Sequence, residues 1–93
     1  MSAELALPAR LDLPAARPLA DAILALRGQD LCLNAGDVHH LGTPGLQVLM
    51  AAVLSWRADG RSLVLTAPSG ALVEQLSCFG LRPGDISHIP AEG

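Results

Sequence analysis

Val38-His39-His40-Leu41-Gly42-Thr43-Pro44-Gly45-Leu46-Gln47-Val48-Leu49 is the stretch that decides the fold. Val38 to Leu41 reads as a short strand, the next residues as a turn, and Pro44 onward as a long amphipathic helix. A hydroxyl, Thr43, stands at the mouth of that helix, with Pro44 behind it at the first helical position. Threonine is a favoured N-cap because its side-chain oxygen accepts from a free backbone N–H of the first turn. Proline suits the next position, where an N–H would have no helical partner anyway. Free N–H groups at a helix start also draw anions. Thr43 therefore reads either as a cap or as a place where a phosphate is added and read.

Outward from this stretch, strands and helices alternate. Glu4 to Leu7 is a short apolar alternation fit for an edge strand, broken by Pro8, Arg10 and Asp12. Pro14 opens a helix to about Leu26, with Leu19, Ile23 and Leu26 spaced for one buried face. Pro18 falls within about the first turn, where it is tolerated, and Gly28 stops the helix. Leu31-Cys32-Leu33 is a compact strand, and Asn34 to Asp37 a turn cluster. The helix from Pro44 to about Ala58 presents Leu46, Leu49, Met50, Val53 and Leu54 on one broad apolar side, and Asp59-Gly60 ends it. Leu63-Val64-Leu65 suits a strand covered on both faces. Pro68-Ser69 starts a third helix carrying Leu72, Val73, Leu76 and Phe79, and Gly80 stops it. Asp85 to Ile89 is expected to add a last short strand, and Pro90 to Gly93 to fray. This order argues for α/β, a small, mostly parallel sheet with helices packed on it. The 93 residues make a single domain, 1–93, with its core at about 4–89.

Composition removes several function classes. Lysine is absent, six arginines supply the positive side-chain charge, and the net charge is −3. Trp56 and Phe79 are the only aromatic residues. Such a chain has neither the basic footprint nor the stacking surface for nucleic acid. No apolar run approaches the roughly 18 residues of a membrane span, and no basic start with an apolar stretch marks a secretory signal. The expected compartment is the cytoplasm, with no membrane insertion. Cys32 and Cys78 read as free thiols buried as small hydrophobes. Trp56 reads as filling the core edge rather than forming an exposed pair with Arg57.

Catalytic and cofactor signatures are missing. There is no Walker-type loop and no Gly-x-Gly-x-x-Gly. The serines and three histidines fall in no nucleophile–base motif, so no catalytic residue, no cofactor and no enzyme activity is expected. His39 and His40 are adjacent on a strand and face opposite ways, which argues against a shared metal ion. One of them is expected to be buried or half-buried and the other to face solvent.

Three stretches together resemble the STAS domain family, which includes anti-sigma factor antagonists and the C-terminal regions of sulfate transporters. Leu11-Asp12-Leu13 is similar to the leucine–aspartate lead into the family's first long helix. Val38 to Leu49 matches its strand, hydroxyl-bearing loop, glycine–leucine pair and helix. Ala67-Pro68-Ser69, followed by Val73, Leu76, Gly80 and Leu81, resembles the start and end of its third helix. The antagonist loop reads aspartate, serine, serine or threonine, glycine, leucine, and a partner kinase phosphorylates a hydroxyl there. The corresponding positions here are Gly42, Thr43, Pro44, Gly45 and Leu46: Thr43 keeps a hydroxyl, Gly42 stands for the aspartate and Pro44 for the second hydroxyl.

The resemblance implies a non-enzymatic module that docks on a protein partner, an anti-sigma or chemotaxis-type kinase. Thr43 would be the phosphoacceptor, and His40, Gly42, Thr43, Pro44, Gly45 and Gln47 the partner-binding residues. The alternative is similarity to the STAS subunit of a bacterial lipid-trafficking ABC transporter, where the domain binds the ATPase and a threonine of the same loop lies at the contact, which the single threonine here fits about as well as a phospho-switch. A carrier of a small apolar or nucleotide ligand is a third class, for which the chain places no polar groups.

Overall fold

The computed structural model describes residues 2–91. In chain order it has β1 (Ser2–Ala6), β2 (Arg10–Leu11), α1 (Leu13–Leu24), β3 (Asp30–Asn34), β4 (His40–Leu41), α2 (Thr43–Asp59), β5 (Leu63–Thr66), α3 (Gly70–Cys78) and a 3-10 turn at Pro83–Asp85. β1, β3 and β5 form a parallel sheet in that order, with Ser2 beside Asp30 and Leu31 beside Leu63. β2 and β4 form a separate two-stranded parallel pair, Arg10 beside His40 and Leu11 beside Leu41. The α/β architecture with a small parallel sheet is as the alternation of elements requires.

The steps from β1 to β3 and from β3 to β5 move the same way across the sheet. Right-handed crossovers then put both connecting helices on one face, and α1 does pack against α2. Leu31, Leu33, Leu63 and Leu65 point into this face and are buried. They meet Leu49, Val53 and Trp56 of α2 and Leu19 and Ile23 of α1 in one core cluster. Trp56 is fully buried, and its indole N–H donates to the Gln29 carbonyl at 2.8 Å, so no exposed Trp–Arg pair exists. Gly60 takes the left-handed conformation (φ 66°) that ends α2, and its N–H bonds to the Arg57 carbonyl at 3.2 Å.

Several expectations need correction. Val64 is half-exposed between two buried leucines, because the helices cover one face of the sheet rather than both. Asp85 to Ile89 is not a strand. Pro83 and Gly84 turn the chain into the 3-10 turn, and His88 alone bridges Leu63 in antiparallel sense. The first helix ends at Leu24, two residues early, and Pro18 lies in its second turn. Leu54, Val73 and Phe79 are exposed, which narrows the apolar faces of α2 and α3. Cys32 is half-buried, but Cys78 is exposed near the end of α3, so it is not a core residue. Glu92 and Gly93, the end of the expected frayed tail, lie outside the described residues.

Candidate functional site

A helix that links two parallel strands runs back along them, so α2 starts at the carboxyl end of the sheet and finishes at the amino end. That carboxyl end is where ligands settle in open α/β sheets. The loop at its mouth is fixed from two sides. On one side β2 takes it: the His40 N–H donates to the Ala9 carbonyl at 3.2 Å and the Gly42 N–H to the Leu11 carbonyl at 2.8 Å. On the other side stands α3. Its Gln75 carboxamide holds the Leu41 N–H and the His39 carbonyl at 2.6 and 2.9 Å, and its N-cap Ser69 donates its hydroxyl to the Val38 carbonyl.

The helix mouth differs from the sequence reading at its cap. Gly42, extended at φ −99° and ψ 167°, is the N-cap, and its carbonyl accepts the Leu46 N–H at 3.0 Å. Thr43 is instead the first helical residue. Its side chain is exposed and makes no capping bond, and Pro44 follows within the first turn. Thr43 is therefore an exposed residue at the helix mouth.

The remaining expected site residues divide by exposure. Gln47 is exposed, while His40, Gly42 and Pro44 are half-buried. His39 is the solvent-facing histidine of the pair, and among the described residues no cluster of metal-ligating side chains occurs. Gly45 is buried. A Cβ there would lie 2.3 Å from the Leu11 carbonyl oxygen, which means that glycine lets α2 seat directly on β2.

Two features went unread in the sequence. The β2–β4 pairing brings Asp12 beside the loop: its Cα lies 3.7 Å from the position of a Cβ on Gly42. The Arg10 guanidinium donates to the Asp12 carboxylate at 2.9 Å and holds its pKa below the usual carboxylate value. The backbone of an acidic residue, the N-cap of α1, thus passes next to Gly42. Leu11-Asp12-Leu13 signalled the helix start but not this approach.

The second feature is an apolar groove of about 390 Å³ between α1 and α2. Alanines 16, 20, 51 and 52 line it, Pro44 and Gln47 bound it at the loop end, and Leu13 projects beside it at 73% exposure. Thr43 is thus adjacent to one end of a groove whose walls are almost wholly apolar.

The family described as "Mlab, STAS domain" matches residues 2–83 of the chain. No curated protein and no solved structure matches it. The chain belongs to the STAS domain family, and that membership supports a general regulatory or binding role through contacts with other proteins. Among the described residues, no helix is long and apolar enough to cross a membrane.

Proposed function

We propose that this STAS domain is a non-enzymatic docking module of the cytoplasm that binds a kinase-type signalling ATPase, of the anti-sigma or chemotaxis class. The contact surface is the loop and helix mouth formed by His40, Gly42, Thr43, Pro44 and Gln47, with Gly45 seating the helix beneath it. The observation that carries this reading is the exposed, hydroxyl-bearing Thr43, set at a helix start on the carboxyl side of the sheet. A phosphate on Thr43 would add roughly −1.5 to −2 charges. The helix start favours that charge from within the chain, whereas a partner surface shaped for a neutral hydroxyl loses affinity.

A second reading is favoured by the groove. One hydroxyl between Gly42 and Pro44, next to apolar walls, suits a permanent contact with the ATPase of a lipid-trafficking ABC transporter. There Thr43 packs and bonds at the interface without being modified.

Capture of partners from the source organism's lysate, followed by titration of the recovered ATPase, separates the two. A kinase-type ATPase that phosphorylates the chain at Thr43, and binds Thr43→Glu roughly tenfold or more weakly, is the expected result. An ABC ATPase that binds Thr43→Ala weakly and never modifies the chain supports the second reading. If Thr43→Glu and Thr43→Ala both bind the recovered ATPase like the parent protein, docking at the helix mouth is wrong.

A further inference from the structure

β4 has a strand on one edge only. The His40 and Gly42 N–H groups turn towards β2. The Leu41 N–H and the His39 carbonyl turn the other way, where no strand runs among the described residues. Leu41 is buried, so its N–H cannot simply be left to water. Gln75, 34 residues away on α3, fills the gap. Its Oε1 accepts from the Leu41 N–H at 2.6 Å and its Nε2 donates to the His39 carbonyl at 2.9 Å. Only one orientation of the carboxamide makes both bonds, since the flipped amide sets donor against donor and oxygen against oxygen. One side chain thus supplies the donor and acceptor that a neighbouring strand would present.

We infer that Gln75 is a positioning residue for the Thr43 loop. By pairing with His39 and Leu41 as a strand would, it sets the direction in which β4 delivers Gly42 and Thr43 to a partner. Resting on the docking role proposed above for its functional half, it couples α3 to the docking surface. Ser69, which caps α3 and bonds the Val38 carbonyl, anchors the same segment at the residue before His39. No other side chain among the described residues bonds the backbone of His39 or Leu41.

The structural half is tested without any partner, by native-state hydrogen exchange of the Leu41 amide, with the Leu33 amide of β3 as the reference for global opening. Gln75→Met keeps the bulk and loses both bonds. Leu41 should then exchange roughly tenfold faster relative to Leu33. Gln75→Glu is the second variant. A neutral carboxyl can still accept from Leu41 and donate to His39, whereas a carboxylate opposes the His39 carbonyl oxygen. Leu41 protection, corrected for the intrinsic rate, should fall as that carboxyl ionises, and the parent protein should show no matching step. Leu41 exchange that stays in constant ratio to Leu33 in Gln75→Met, or no such step in Gln75→Glu, overturns the clamp.

The functional half is read with the ATPase recovered by lysate capture. Binding should weaken roughly tenfold in Gln75→Met with Leu33 protection intact. Unchanged affinity despite a loosened Leu41 overturns the positioning role. Failure of docking at Thr43 has a different signature, because Thr43→Glu and Thr43→Ala then bind normally while the Leu41 clamp still responds to Gln75.

Discussion

Gly42 and Gly45 stand three residues apart and answer to different constraints. A Cβ on Gly45 would sit 2.3 Å from the Leu11 carbonyl oxygen and 2.7 Å from the Leu11 Cβ, distances that real contacts do not reach. One methyl therefore pushes the start of α2 away from β2 and stretches the 2.8 Å bond from the Gly42 N–H to Leu11. Gly45→Ala should cost about 1–3 kcal/mol, the usual range for overpacking, seen as a lower urea midpoint. At Gly42 the nearest atom to an added Cβ is 3.5 Å away, and φ is −99°, which any residue adopts. Gly42→Asp, the residue the antagonist loop carries there, should shift stability by less than about 0.5 kcal/mol, since glycine is itself an acceptable N-cap. Equal stability of Gly45→Ala and the parent protein would show that the close approach is not real.

Among the elements, α3 works at both ends of the candidate site. Its N-cap Ser69 accepts from the Leu72 N–H at 3.1 Å and donates to the Val38 carbonyl. Ser69→Ala removes both bonds, and about 1–2 kcal/mol should be lost. Ser69→Thr keeps the hydroxyl and should recover most of it. Thermal melts of the two variants decide this, and an alanine variant that melts with the parent contradicts the double role. Ser69 also shows which parts of the fold were legible from residues alone. Its cap, and the stops at Gly60 and Gly80, are local events written in adjacent residues, and both glycines take positive φ, whereas α1 ends at Leu24, ahead of the stop expected at Gly28. The Thr43 junction was half-legible. The helix mouth was readable, but the cap depends on which carbonyl accepts the Leu46 N–H, and that proved to be Gly42. The strand expected at Asp85 to Ile89 failed because a strand exists only by its partner, and β5 offers one bridge there. Gln75, Asp12 and the α1–α2 groove were illegible for the same reason. Each is made by residues more than twenty positions apart whose meeting depends on the β2–β4 pairing or on helix packing.

At the scale of the molecule, the two ends of the sheet divide the labour. The carboxyl end presents the loop, while the amino end closes the structure with polar ties between distant segments. There the Arg27 guanidinium bonds both oxygens of Asp59 at 2.8 and 3.2 Å, joining the turn after α1 to the end of α2. The Asp30 carboxylate accepts from the Ser62 N–H at 3.0 Å, joining the starts of β3 and β5. Each bond favours the charged form. The side-chain bond from Arg27 holds the Asp59 carboxyl below its ordinary value, and the Ser62 backbone bond does the same for Asp30. Asp12, held down by Arg10, behaves alike at the other end. A carboxyl with a lower pKa folded than unfolded leaves the native state with fewer bound protons than the unfolded chain. The stabilisation is fully present above the unfolded pKa of about 4, and it is lost as the pH falls from there through the folded values. Melting temperature should therefore drop as the pH falls below about 4 for these groups. Asp59→Asn should melt lower than the parent at pH 6, with a shallower fall below pH 4, because one of the three titrations is gone. Added salt should shrink the Arg27–Asp59 share, since both side chains are partly exposed. A parent and an Asp59→Asn protein with parallel acid profiles would mean that the tie at the amino end contributes nothing, and that the apolar core under Trp56 closes that end by itself.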